Sequence, residues 1–253
     1  MAEALTRYLI RIEYDGTGLV GWQRQDNGPS VQQFLEEAAE KLTGQPTAIQ
    51  GSGRTDSGVH ALGQAAHLDV PAHLDKRAVM RGLNAWLRSD QIAVLSAEQV
   101  GDGFNARFDA IERRYLYRIL DRPVPSAINR HRLWHHKVPL DETAMHQAAQ
   151  HLVGRHDFTS FRATQCQANS PVRTVDALTV SREGDEIHII AIARSFLHHQ
   201  IRNFAGSLSL VGRGKWTESD LKAALEACDR SAAGQTAPAH GLYLTDILYP
   251  EQK

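Results

Sequence analysis

The chain has 253 residues, 42% of them hydrophobic and 23% charged, which suits one large or two small globular domains with a real core. No window approaches the roughly 18 consecutive apolar residues of a membrane span, and no basic head precedes an apolar run at the start, so the chain is expected to stay in the cytoplasm. A net charge of −1 argues against a surface coated in phosphate contacts, and two cysteines, Cys166 and Cys228, are too few for a disulfide scaffold and are expected as reduced thiols.

In chain order, Tyr8, Ile10, Ile12 and Tyr14 alternate with Arg7, Leu9, Arg11 and Glu13, the period of a strand with one buried face. Asp15-Gly16-Thr17-Gly18 supplies turn chemistry. Ser30 is expected to cap a helix, with Gln33 completing a capping box, Val31, Phe34, Leu35, Ala38, Ala39 and Leu42 as its apolar stripe, and Gly44 ending it. Strands follow at Gln64 to Val70 and Ile92 to Val100, with a helix between them from Asp75 to Arg88. Tyr115 and Tyr117 alternate with Leu116 and share one strand face with Arg113. Asp141 then caps another helix, with Met145, Ala148, Ala149, Leu152 and Val153 apolar and Gly154 ending it. Its last seven residues, from Ala148 to Gly154, match Ala38 to Gly44 at four positions, an offset of 110 residues. Strands are expected at Val172 to Arg182 and Glu186 to Ala193, a long helix from about Phe196 to Val211, and a last strand near Gly241 to Tyr249.

Two successions of strand, helix, strands, helix and strand indicate an α+β protein with a pseudo-duplicated layout. The joint falls between Val100 and Pro139, placed here as residues 1–105 and 106–253. No flexible linker separates the halves, and a cleft between them is the natural place for a site. Arginine supplies 22 of the 28 basic residues. From Phe104 to Lys137 eight basic residues face three acids, with Phe108, Tyr115, Tyr117 and Trp134 interleaved. Such a stretch suits an RNA surface, and equally a solvated strand face with scattered ion pairs.

The run from Gly51 to His60, Gly-Ser-Gly-Arg-Thr-Asp-Ser-Gly-Val-His, lacks the Gly-Lys-Ser/Thr ending of a phosphate-binding loop. Asp56 also stands where the third glycine of a dinucleotide fingerprint would be. What remains is a carboxylate in a tight loop whose glycines admit a ligand, or an aspartate that bonds its own turn.

The run Gly53 to Ala61 resembles the signature of the TruA family of tRNA pseudouridine synthases. So do Tyr14-Asp15-Gly16-Thr17-Gly18, Gly21-Trp22-Gln23-Arg24-Gln25, and Phe104-Asn105-Ala106-Arg107-Phe108. The likeness continues through Arg113 to Tyr117, Asp157 to Arg162, Phe196 to Asn203 and Ala239 to Leu244, in family order over nearly the whole chain. Leu19 and Gln200 depart from residues frequent in the family, at positions without a chemical role. The resemblance implies two ferredoxin-like halves with antiparallel sheets around a central RNA-binding cleft, in a homodimer needing neither cofactor nor metal. It implies uridine isomerisation at positions 38, 39 and 40 of the tRNA anticodon stem-loop. By position it makes Asp56 the essential aspartate, Tyr115 the tyrosine stacking on the base, Arg202 the cation paired with the aspartate, and Arg54 the arginine that displaces the uridine. The sequence spacing itself does not choose between Tyr115 and Tyr117.

These residue types suit that chemistry. An aspartate of ordinary pKa about 3.9 is ionised at neutral pH and can act as nucleophile or base at a sugar carbon. A stacked uridine must be flipped out, at a cost of a few kcal/mol that a tyrosine ring partly offsets. The thirteen histidines form no metal motif. His198 and His199, as neighbours on a helix, are expected to point apart. A structural hydrogen bond is expected for His60. The alternative from a different class is a tRNA-folding chaperone that binds without chemistry.

Overall fold

The computed structural model describes residues 4–250. They form two compact units: residues up to Ile111 together with those from Leu244 onward, and Glu112–Tyr243.

In the first unit, β1 (Leu5–Tyr14) buries Tyr8, Ile10, Ile12 and Tyr14, the face its alternation marks. Helix α1 (Val31–Thr43) starts where the Ser30 side chain accepts the Gln33 N–H at 3.3 Å, and stops at Gly44, whose φ of 76° an L side chain rarely adopts. The capping box is half-formed, because the Gln33 amide turns to Glu37 instead of reaching back. Next come β2 (Gln50–Gly51), β3 (His60–Pro71), α2 (Lys76–Trp86), capped by Asp75 through Ala78 N–H, and β4 (Ile92–Gln99). The strand order is β4-β1-β3-β2 with every pair antiparallel. With one helix after β1 and the other after β3, this is the ferredoxin-like arrangement. The helices pack on each other at Gly82, where a Cβ would lie 2.5 Å from a methyl of Leu42. Leu35 is wholly buried on α1, and truncating such a leucine to alanine costs about 2–5 kcal/mol.

The second unit opens with β5 (Glu112–Asp121), whose inward face carries Arg113, Tyr115, Tyr117 and Ile119. A short strand, β6 (Trp134–His136), runs parallel to it. Helix α3 (Glu142–Ala149) is capped by Asp141 and tightens into a 3-10 turn, Gln150–Leu152. Gly154, with φ of 105°, then starts a strand, so it is no counterpart of the helix-ending Gly44. That strand, β7 (Gly154–Asp157), pairs only with β8 (Val172–Val175) in a sheet of two. Strands β9 (Ala177–Glu183) and β10 (Glu186–Ala193) form a hairpin, and β10 pairs on its other side with β5. The single strand expected from 172 to 182 is thus two strands. They are broken at Asp176, whose N–H turns aside to Ile192.

Helix α4 (Gln200–Gly212) begins four residues later than its apolar run suggests. His199 takes a left-handed φ of 64°, and the Gln200 side chain accepts the Leu197 N–H, which makes residues 196–199 a turn. After it, α5 (Glu218–Glu226) carries a full capping box between Thr217 and Asp220. The chain ends in β11 (Leu242–Leu248), which pairs with β3 in the first unit. The strand-helix-strand-strand-helix order of β5, α3, β9, β10 and α4 repeats that of the first unit. No helix among the described residues is long and apolar enough to cross a membrane.

Candidate active site

Asp56 sits in the loop between β2 and β3, half-buried, with Arg54 exposed two residues before it. The loop is fixed mainly through its backbone. Ser52 N–H bonds Ala65 O at 2.8 Å, and Gly53 O accepts from the buried Gln64 amide at 2.9 Å. Thr55 O accepts from Trp22 N–H at 3.1 Å, while its hydroxyl lies 2.7 Å from that of Tyr14. Beyond Asp56, Leu19 O accepts both Gly58 N–H and the Ser57 hydroxyl. Val59 N–H closes the turn onto Asp56 O at 3.1 Å.

Two glycines make this support possible. A Cβ on Gly21, whose φ is 104°, would stand 2.5 Å from Thr55 O and 3.0 Å from the carbonyl carbon of Asp56. A Cβ on Gly16 would stand 2.1 Å from Val59 O. The blocks Tyr14–Gly18 and Gly21–Gln25, remote in sequence, are therefore the bed on which the aspartate loop lies. This is a supporting role that sequence spacing did not disclose. His60 makes the structural bond expected of it: buried, it accepts Gly16 N–H on Nδ1 at 3.0 Å. The same nitrogen lies 3.1 Å from the Asp15 carboxylate.

In the second unit the two candidate tyrosines differ. Tyr117 is fully buried, donates its hydroxyl to Pro238 O at 2.8 Å, and meets Trp134 edge-on. Burial pushes its phenol well above the ordinary range, with the charge of Arg202 pulling partly back. Tyr115 retains 8% exposure and meets Phe196 edge-on at 5.4 Å between ring centres. Arg202, in the first turn of α4, is anchored by Nε donating to Ala237 O at 2.8 Å, and its own carbonyl accepts Ala237 N–H. Its neighbour Asn203 is buried and bonds Phe161 O, Arg230 and Thr236. His198 and His199 lie side by side with ring centres 4.0 Å apart, because the left-handed turn at His199 replaces the helical geometry expected to splay them.

Part of the basic stretch is engaged within the fold, while Arg107, Arg114, Arg130, Arg132 and Lys137 are exposed. Arg113 points inward and donates to Arg194 O, Arg118 is held by a forked ion pair to Glu186, and Arg122 reaches Asp185. Tyr115 and Tyr117 also face in, leaving Phe108 as the exposed aromatic at 66%.

A family profile described as tRNA pseudouridine synthase matches residues 10–109 and 148–250. The chain belongs to the tRNA pseudouridine synthase family. Arg54, Asp56 and Arg202 lie within the matched residues, and Tyr115 lies between them. Relatives named tRNA pseudouridine synthase A agree along nearly the full length. The chain is 58% identical to that of Rhodospirillum rubrum, over 97% of this chain and 88% of the relative. It is 54% identical to that of Maricaulis maris, over 97% and 99%, and 54% identical to that of Sinorhizobium fredii, over 97% and 100%. As a tRNA pseudouridine synthase the protein is an isomerase: tRNA uridine is converted to pseudouridine.

Proposed function

We propose that this synthase acts on uridines 38, 39 and 40 of the tRNA anticodon stem-loop, with Asp56 as the carboxylate that works at the ribose of a flipped-out uridine. The reaction breaks the C1′–N1 bond, turns the uracil and forms C1′–C5. The C5 proton is given up, N1 gains one, and electrons and phosphates stay balanced without a cofactor. The observation that carries this reading is the Asp56 loop, a half-exposed carboxylate in a rigid main-chain frame. A group held in place before substrate arrives needs little reorganisation in the transition state.

In this proposal Arg54 displaces the uridine and Tyr115 stacks on it. Arg202 supplies the positive charge that keeps the carboxylate ionised when substrate excludes water. Tyr115 is supported over Tyr117 by its residual exposure, where Tyr117 is fully buried and tied to Pro238 O. Residence in the cytoplasm and assembly as a homodimer belong to the same reading, and light scattering on the purified protein checks the second.

The test is nuclease digestion of an unmodified tRNA transcript incubated with the protein and no added cofactor. Pseudouridine is expected in the anticodon arm, and Asp56→Asn is expected to lower its formation at least about 10³-fold. Undiminished activity in Asp56→Asn, or an arm without pseudouridine, defeats the reading. A chaperone without chemistry would instead bind tRNA equally well or better once Asp56 is neutralised, and yield no product in either form.

A further inference from the structure

Away from the Asp56 loop, a concavity of about 420 Å³ opens in the second unit where three segments meet: β7, β8 and the exit of β10. Each brings an arginine, Arg155 from β7, Arg173 from β8 and Arg194 just past β10. Hydroxyls of Ser170, Thr174 and Ser195 complete the polar lining, and Asp176 is the one acid in it. Among the described residues no ion pair joins Asp176 or any other acid to these three arginines. The lining therefore carries three positive charges against one negative.

The guanidiniums are placed by the fold. Arg173 is pinned through Nη1 to Ser170 O at 3.0 Å and Val172 O at 2.7 Å, partners that fix the head and leave its charge uncompensated. Its Nε is buried and meets no acceptor among the described residues. The main chain of Arg194 is held by the buried Arg113, which donates to its carbonyl. Arg155 stands directly across from Thr174 in the β7–β8 pairing. Like charges gathered in one hollow repel, and an anion with several acceptor oxygens relieves that strain while using the arginine forks.

We propose that this hollow is a phosphate-binding site that takes a backbone phosphodiester of the tRNA substrate, and that Arg155, Arg173 and Arg194 position the RNA. The proposal rests on tRNA being the substrate and is independent of the role of Asp56. Its test accordingly reads binding and not turnover. Affinity of the full-length protein for an unmodified tRNA transcript is measured by fluorescence anisotropy across a range of salt. The variant is Arg155→Ala/Arg194→Ala, whose two side chains make no hydrogen bond or ion pair among the described residues. A Kd raised about tenfold is expected, with the slope of log Kd against log salt shallower by about one, as for one lost phosphate contact. Arg155→Lys/Arg194→Lys is expected to restore most of the slope, since lysine still contacts phosphate as a point charge. An unchanged melting temperature in both variants separates lost contacts from lost folding. A double alanine variant that binds tRNA with unaltered Kd and slope overturns the proposal. So does calorimetry showing that inorganic phosphate binds the hollow while tRNA affinity ignores it, which would assign the site to a small phosphate-bearing ligand.

Discussion

At the scale of single residues, neighbours of one chemical type have been given different work by their surroundings. Tyr115 and Tyr117 share a strand face, yet Tyr117 is fully buried with its hydroxyl on Pro238 O, while Tyr115 keeps some exposure. Tyr117→Phe should therefore lower stability by about 1 kcal/mol, the cost of losing the bond from its buried hydroxyl to the Pro238 carbonyl, visible as a lower midpoint in urea. Tyr115→Ala should weaken the productive complex by about 1–3 kcal/mol, the worth of one base-stacking contact, read in kcat/KM for tRNA. Tyr115→Phe, which keeps the ring, should lose little of it. Equal losses in Tyr115→Ala and Tyr115→Phe would point to the hydroxyl instead of the ring. Gly21 offers a sharper probe. With its left-handed φ and the Asp56 loop 2.5 Å from any added Cβ, Gly21→Ala should cost more than about 1 kcal/mol and lower turnover beyond what the unfolded fraction explains.

At the scale of elements, local signals read well and partnerships did not. Ser30, Gly44, Asp75 and Asp141 mark their helix ends because capping is settled within four residues. The reciprocal box expected at Ser30 is instead found complete at Thr217 and Asp220, in a helix whose weak apolar stripe had not singled it out. Strand Val172 to Arg182 looked continuous because side-chain alternation does not say where backbone groups bond. Here they bond β7 on one stretch and β10 on the next. The same holds for the segment after β4. Its Ala106 N–H is received by Nδ1 of buried His67 at 3.1 Å, and Arg7 bonds the carbonyls of Asp102 and Phe104 while pairing with Asp69.

Burial, aided by the charge of Arg7 and opposed by Asp69 and Asp109, lowers the His67 pKa below its ordinary 6.5. The unfolded chain thus takes up this proton before the folded one. Stability present above about pH 6.5 should be lost as the pH falls through that value and on towards the lower folded pKa. His67→Asn, which keeps an acceptor but does not titrate, should flatten the pH dependence of the melting temperature between pH 7 and 5. An unaltered profile would show that His67 is not its source.

At the scale of the whole molecule, the α+β class and the repeated order of elements were legible from two rounds of alternating periodicity. What periodicity could not supply is the company the last strand keeps, because it is parted by more than 170 residues from β3, beside which it lies. Arg11 bonds Ile247 O at 2.7 Å and the Asp246 carboxylate at 3.3 Å, Ile111 N–H bonds Leu248 O, and Tyr249 donates its hydroxyl to Ala106 O. A chain ending before residue 242 should therefore destabilise the first unit although its own first 111 residues are intact. Limited proteolysis should show cleavage within residues 4–111 appearing at lower protease concentration than in the full chain, and an equal cleavage pattern would refute the dependence. The aspartate itself was legible as a candidate from its loop. Its setting was not, since Tyr14, Gly16, Gly21 and Trp22 reach it only through the folded chain.

That setting bears on how the protein can change over time. Asp56 is located by carbonyls, amide hydrogens and the bare α-carbons of Gly16 and Gly21, more than by the shapes of apolar side chains. Core residues of the first unit, such as Leu35 or Ile10, are thus open to volume-preserving exchange without displacing the carboxylate. Mutational drift in the interior and placement of this carboxylate are thereby largely uncoupled, and the tolerance ends at Gly16 and Gly21, where an added Cβ meets the loop backbone.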